Sequence, residues 1–115
     1  ASAPTPSAKK IVPTTITKTP SISAGQQYAN ALAIYRNQGA YFQFVNCRGN
    51  PGTLTLKKGV KFMLDNRDNI SHKIVVGKTV YNVASFGYVI ATAQTLGLNY
   101  ITCDGGGAAA VSVQL

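Results

Sequence analysis

The side chains of this 115-residue chain that could bind a metal ion or move protons are few. The chain has one histidine, two cysteines and three acidic residues, all aspartates: His72, Cys47, Cys103, Asp65, Asp68 and Asp104. Three carboxylates are too few to build a paired-carboxylate hydrolase, a calcium cage or a two-metal centre. A single histidine without a GxSxG motif also argues against nucleophilic catalysis. We therefore expect a protein that is not an enzyme.

The spacing of the two cysteines is not that of a metal-binding or redox motif. Cys47 and Cys103 are an even pair, far apart in sequence, and neither belongs to a CxxC motif. Such a pair favours one disulfide in an oxidising compartment. The first four residues, ASAP, are typical of a mature chain after a small-residue cleavage site. We therefore predict a secreted, extracellular or cell-surface protein, with free thiols as the alternative that would make both sulfurs available to a metal.

One helix is predicted, over about residues 26–37. Ser23 can cap its first turn, and Tyr28, Leu32 and Tyr35 recur at the spacing of one helix face. Gly39 is a suitable stop because glycine readily adopts a left-handed backbone.

From residue 41 onward the pattern changes to short strands separated by turns. Gly77 and Lys78 form a two-residue hairpin connection, residues 48–52 read as a turn, and residues 105–107 read as a flexible glycine turn. We expect strands at 41–47, 53–56, 60–64, 72–76, 79–83, 86–93, 99–103 and 110–114. Seven or eight short strands predict a mainly β protein, a Greek-key β-sandwich with one short N-terminal helix. The domain is expected to span residues 23–115.

Residues 1–22 have a composition unlike the rest, with four of the five prolines and many threonines. Proline excludes a helix there and holds the chain extended, so an extended N-terminal tail is predicted. Ile11, Val12, Thr14 and Ile16 are the candidate residues of an assembly strand that pairs with an open sheet edge of another copy. We expect a homo-oligomer or homopolymer, such as a filament subunit that self-assembles.

The chain is basic, with a formal net charge of +8. Lys57, Lys58 and Lys61 cluster around one turn and are candidate anion-binding residues. Scattered lysines without a nucleic-acid motif favour a solubilising surface, or attraction to an anionic cell-surface polymer, over a dedicated nucleic-acid site. No run of 18 apolar residues is present, so no membrane span is expected.

Three segments together resemble the cupredoxin family: residues 59–66 (GVKFMLDN), 70–76 (ISHKIVV) and 99–105 (NYITCDG), with 110–114 similar to its last strand. The resemblance covers residues 41–115 and implies a cupredoxin-like fold, with His72 at the first copper-ligand position and Cys103 at the thiolate position. The chain is still more similar to small secreted cupredoxin-like proteins of candidate-phylum bacteria. Those resemble exported, non-enzymatic domains with paired cysteines, and they imply no activity.

The chain departs from the cupredoxin copper pattern after Cys103. That pattern has a second histidine and an axial methionine in the following loop, but residues 104–110 (DGGGAAA) contain neither. Met63 lies in a predicted strand and is expected in the core. We therefore predict no cofactor, and a structural or interaction module in which His72 is a partly exposed strand residue. The alternative is a degenerate copper site formed by His72 and Cys103, with Cys47 as a third ligand.

Overall fold

The computed structural model describes residues 23–115, which form one helix and nine strands. The predicted mainly β architecture with one N-terminal helix is confirmed, and the predicted tail of residues 1–22 lies outside the described residues. The elements are α1 Ala24–Asn37, β1 Tyr41–Val45, β2 Arg48–Asn50, β3 Thr53–Lys57, β4 Lys61–Asn66, β5 His72–Val76, β6 Thr79–Val83, β7 Tyr88–Thr92, β8 Gly97–Cys103 and β9 Gly106–Gln114.

The strands form two sheets that face each other. One has five strands in the order β3-β9-β8-β5-β6, and the other has four in the order β2-β1-β4-β7. The pairs β3–β9 and β1–β4 are parallel, whereas the other pairs are antiparallel. Because β5 pairs antiparallel with β8, with Ile74 opposite Cys103, the start of β5 lies beside the end of β8.

The core lies between the sheets and follows the two-residue period of the strands. Phe42 and Phe44 of β1 are fully buried, as is Phe62 of β4. Ile74 and Ile101 meet them from the five-stranded sheet. Alternate strand positions with large apolar side chains thus build one shared core, as the sequence pattern predicts.

Two predicted turns are wrong. Residues 48–50 form strand β2, which pairs with β1, so β1 ends at Val45 and only Asn46 and Cys47 connect the two strands. Gly106 and Gly107 belong to β9 rather than to a flexible turn. In both places backbone pairing with a neighbouring strand overrides the weak β-propensity of the local sequence.

The helix has the predicted ends. The Ser23 side chain accepts a hydrogen bond from the Gln26 N–H at 3.1 Å, and Gly39 follows the helix with a φ of 68°. Tyr28, Leu32 and Tyr35 are half-buried and form the face that packs on the sheet. Within residues 23–115 no helix is long and apolar enough to cross a membrane.

A buried carboxylate joins the helix to the outer face of the four-stranded sheet. Asp65 of β4 is fully buried and accepts hydrogen bonds from the Tyr28 hydroxyl, at 2.7 Å, and from the Tyr41 hydroxyl. Its Oδ1 lies 2.7 Å from Nε of Arg67, whose guanidinium stacks 4.4 Å from the centre of the Tyr28 ring. These contacts hold α1 on the sheet.

The two tyrosines of this network make stability depend on pH in the alkaline range. Burial raises the pKa of Tyr28 and of Tyr41, and the adjacent Asp65 carboxylate raises both further. A folded pKa above the unfolded value of about 10 stabilises the fold fully below that pH and less as pH rises above it. We expect the free energy of unfolding to fall more steeply above about pH 10 in the wild type than in the Tyr28→Phe/Tyr41→Phe variant. Urea unfolding across that range measures both slopes, and equal slopes would contradict the assignment.

Candidate metal centre

The histidine and both cysteines come together at one end of the two sheets. His72 begins β5 and Cys103 ends β8, and the pairing of Ile74 with Cys103 places them on the same sheet face. Asp104 follows in the turn before β9, and Cys47 reaches the site from the β1–β2 turn. One ligand atom from each of these four residues lies within 4.8 Å of the other three.

The two cysteines form the predicted pair. Their sulfurs are joined in a disulfide, with Cα atoms 5.4 Å apart. Cys103 is 3% exposed and belongs to the core, whereas Cys47 is only half-buried. The bond connects the β1–β2 turn to the last residue of β8, and so links the two sheets.

The expectation that His72 is partly exposed is wrong, because it is 6% exposed. Its ring lies between two carboxylates: Nε2 is 2.7 Å from Asp68 Oδ2, and Nδ1 is 2.6 Å from Asp104 Oδ2. Nδ1 is also 3.5 Å from Cys47 Sγ. Each ring nitrogen therefore contacts one aspartate, and Nδ1 also faces the Cys47 sulfur.

Asp68 connects the histidine to the cysteine turn. Besides contacting His72, its carboxylate accepts hydrogen bonds from the N–H groups of Asn46, at 2.7 Å, and Cys47, at 3.1 Å. These bonds hold the pKa of Asp68 below its ordinary value, and the bond from the Asn46 N–H has the largest effect. Asp68 therefore holds both the β1–β2 turn and the His72 ring in position.

The charges of the cluster stabilise one another. The Lys73 backbone N–H donates to Asp104 at 2.8 Å and, together with His72, lowers the pKa of that carboxyl group. Burial alone lowers the pKa of His72, but the hydrogen bonds and charges of Asp68 and Asp104 outweigh it, so the net shift is upward. The two carboxylates therefore favour the protonated form of the ring that lies between them.

Reduction of the disulfide would change the chemistry of this cluster. It would leave two sulfur donors, the His72 Nδ1 and one Asp104 oxygen in the same place. Thiolate and imidazole ligands suit Cu(I) and Zn²⁺, whereas carboxylates suit harder ions. The Nε2 contact to Asp68 resembles the hydrogen bond by which a second carboxylate orients a metal-bound histidine.

The residues do not provide the complete copper set of a blue-copper protein. The sequence has no second histidine, and its single methionine, Met63, is fully buried in β4. Met63 pairs with Tyr41 and Ile90 on the sheet face that carries Asp65 and packs under α1, away from the cysteines. A four-ligand site with an axial methionine therefore does not fit this chain.

The other predicted site residues lie elsewhere. Lys57, Lys58 and Lys61 are exposed at the opposite end of the sheets. Lys57 lies beside Gln114, whereas Gly106 at the other end of β9 lies beside Cys103. About eight residues of strand, or roughly 26 Å, separate the two ends. Anion binding there stays a prediction, and the assembly-strand residues 11, 12, 14 and 16 lie outside the described part of the chain.

Solved structures of cupredoxins are similar to this chain. A purple cupredoxin from Nitrosopumilus maritimus has 16% identity and a TM-score of 0.56, over 65% of this chain and 99% of that protein. A Cu(I) form of an amicyanin variant has 14% identity and a TM-score of 0.54, over 67% and 83% respectively. No protein-family model and no curated protein matches the chain. The cupredoxin-like fold predicted from the sequence is confirmed.

Proposed function

We propose that this domain binds copper as Cu(I), at a site that becomes available when the Cys47–Cys103 disulfide is reduced. The observation that carries the proposal is the convergence of Cys47, His72, Cys103 and Asp104 within 4.8 Å. The similarity to copper-containing cupredoxins supports it, because the cluster uses the residues that resemble that family's histidine and cysteine ligands. Copper binding was the alternative interpretation of the sequence. It would replace the main prediction, which was that the protein has no cofactor.

Reduction is the step that creates the donor set. Two electrons and two protons from a thiol reductant convert the disulfide into two thiols, and the sulfurs and the His72 Nδ1 that bind a metal release their protons to solvent. Both sulfurs and the His72 Nδ1 would hold the ion, while Asp68 keeps its contact with Nε2. Asp104 supplies an oxygen, the donor least suited to Cu(I). A bound copper ion would supply one-electron redox chemistry or be the cargo itself.

Competition against a Cu(I) chelator under anaerobic, reducing conditions tests the proposal. We expect one equivalent of copper per chain in the wild type. Cys47→Ser and Cys103→Ser should each weaken binding more than Asp68→Asn, which removes the carboxylate behind the histidine and should cost about 10–100-fold. Lys73→Gln is the matched control, because its side chain is exposed beside the cluster and offers no ligand to Cu(I).

Three results would contradict the copper assignment. The first is no binding by the reduced wild type, and the second is equal binding by the cysteine variants and the lysine control. The third is a strong preference for Zn²⁺ with Asp104 as an essential ligand, which would assign a tetrahedral zinc site instead.

Secretion and self-assembly through residues 11–16 stay predictions of the sequence alone. A deletion of residues 1–20 should leave a folded monomer, and the intact chain should have a larger mass in light scattering. Equal masses, with no fibres from either protein, would refute the assembly role.

A further inference from the structure

The two cysteines of the disulfide differ in their exposure to solvent. Cys103 is 3% exposed, packs in the core cluster and pairs with Ile74 in the five-stranded sheet. Cys47 is half-buried and lies in a turn. Of the two residues, Cys47 is therefore the one that a nucleophile from solvent can approach without opening the sheet.

Cysteine is an unusual residue at this point of the turn. Asn46 and Cys47 are the two central residues between the paired Val45 and Arg48, and their φ angles are 53° and 60°. Two-residue connections of this kind favour Asn-Gly, because the second residue also needs a left-handed backbone. The chain accepts a strained cysteine where glycine would fit best, and this placement leaves Cys47 in a turn, half-buried beside the site.

The turn has an anchor that does not depend on the disulfide. The Asp68 carboxylate accepts the N–H groups of Asn46 and Cys47, and it also contacts His72. These contacts can persist when the sulfur–sulfur bond opens. Cys47 then stays in the turn beside His72 through a reaction that breaks the bond.

We propose that a dithiol partner opens the disulfide by attacking Cys47 Sγ. The partner's thiolate forms a mixed disulfide with Cys47, and Cys103 leaves as a thiolate that takes up a proton. The partner's second thiol then attacks the partner's first sulfur, which is bonded to Cys47, and releases Cys47 as a thiol. The partner ends as a disulfide, and two electrons and two protons have passed to this chain. The inference rests on the proposed function, because it supplies the step that makes the metal centre available.

Trapping the mixed disulfide tests this inference without any metal. The oxidised wild-type protein is mixed briefly with excess cysteamine, quenched in acid, alkylated at free thiols and mapped by mass spectrometry. At early times we expect cysteamine on Cys47 and the alkyl group on Cys103, with a preference of at least about tenfold. In guanidinium the preference should disappear, because unfolding exposes both sulfurs equally.

Single-thiol variants give an independent measurement. Cys103→Ser keeps only the Cys47 thiol, and Cys47→Ser keeps only the Cys103 thiol. In native buffer the Cys47 thiol should react with a disulfide reagent at least about tenfold faster than the Cys103 thiol. The two thiols should react at similar rates in denaturant. Equal native labelling, or a preference for Cys103, overturns the inference even if the reduced protein binds copper. Selective labelling of Cys47 in a protein that binds no copper would instead refute the proposed function and leave this inference standing.

Discussion

Replacing Arg67 with methionine is expected to lower the free energy of unfolding by about 3 kcal/mol, because it leaves a buried carboxylate without its counter-charge. Asp65 is fully buried, and its Oδ1 lies 2.7 Å from Arg67 Nε. Neither atom has another hydrogen-bond partner within residues 23–115. The substitution also removes the guanidinium that stacks on Tyr28, so the contact between the helix and the sheet weakens at the same point.

Arg36→Met is the matched control for that substitution. Arg36 lies 5.5 Å from the centre of the Tyr41 ring, but it is exposed and pairs with no carboxylate in the described part of the chain. An exposed cation–π contact is worth about 0.5–1 kcal/mol, so the control should lose no more than that. Urea unfolding measures both variants. Similar small losses would mean that the Asp65 carboxylate is adequately stabilised by the two tyrosines alone.

Removing the disulfide is expected to cost about 4 kcal/mol, because the cross-link restricts the conformational freedom of the unfolded chain. Cys47 and Cys103 are 56 residues apart, so the bond closes a large loop. The Cys47→Ala/Cys103→Ala variant and the reduced wild type should show the same loss in urea unfolding. A loss below about 1 kcal/mol in both would show that the bond does not constrain the unfolded chain as loop-closure entropy requires.

That loss also constrains how the metal centre would operate. Domains of this size are stable by about 5–15 kcal/mol, so reduction takes away a large share of the total. A ligand that binds only the folded state restores stability in proportion to the logarithm of its concentration over its dissociation constant. Copper binding should therefore stabilise the reduced protein and leave the oxidised protein unchanged.

Local signals in the sequence predicted most of the fold. Ser23 and Gly39 mark the ends of α1, and Gly77 sets the hairpin between β5 and β6. Strand β2 could not be predicted in this way, because Arg48, Gly49 and Asn50 have little β-propensity. What makes these residues a strand is their pairing with β1 across the two-residue turn, and their own propensities do not show that pairing.

The candidate site was predicted only in part. The cupredoxin resemblance identified His72 and Cys103, and the cysteine count identified the disulfide. The enclosure of His72 was missed, although Asp68 and Asp104 flank His72 and Cys103 closely in sequence. Sequence distance does not show that two loops turn their carboxylates towards one ring, at 2.7 and 2.6 Å. The buried Asp65 was missed for the same reason, since its tyrosine and arginine partners lie on separate elements.

The most direct test of the proposed function is the copper content of the protein in its two redox states. Oxidised and reduced protein are incubated anaerobically with Cu(I), separated from free metal, and analysed for copper and for the neighbours of the metal by X-ray absorption. We expect one copper per reduced chain, with two sulfur neighbours and one nitrogen neighbour, and no copper on the oxidised chain. Equal copper in both states, or copper with no sulfur neighbour, would contradict a site that opens when the Cys47–Cys103 bond is reduced.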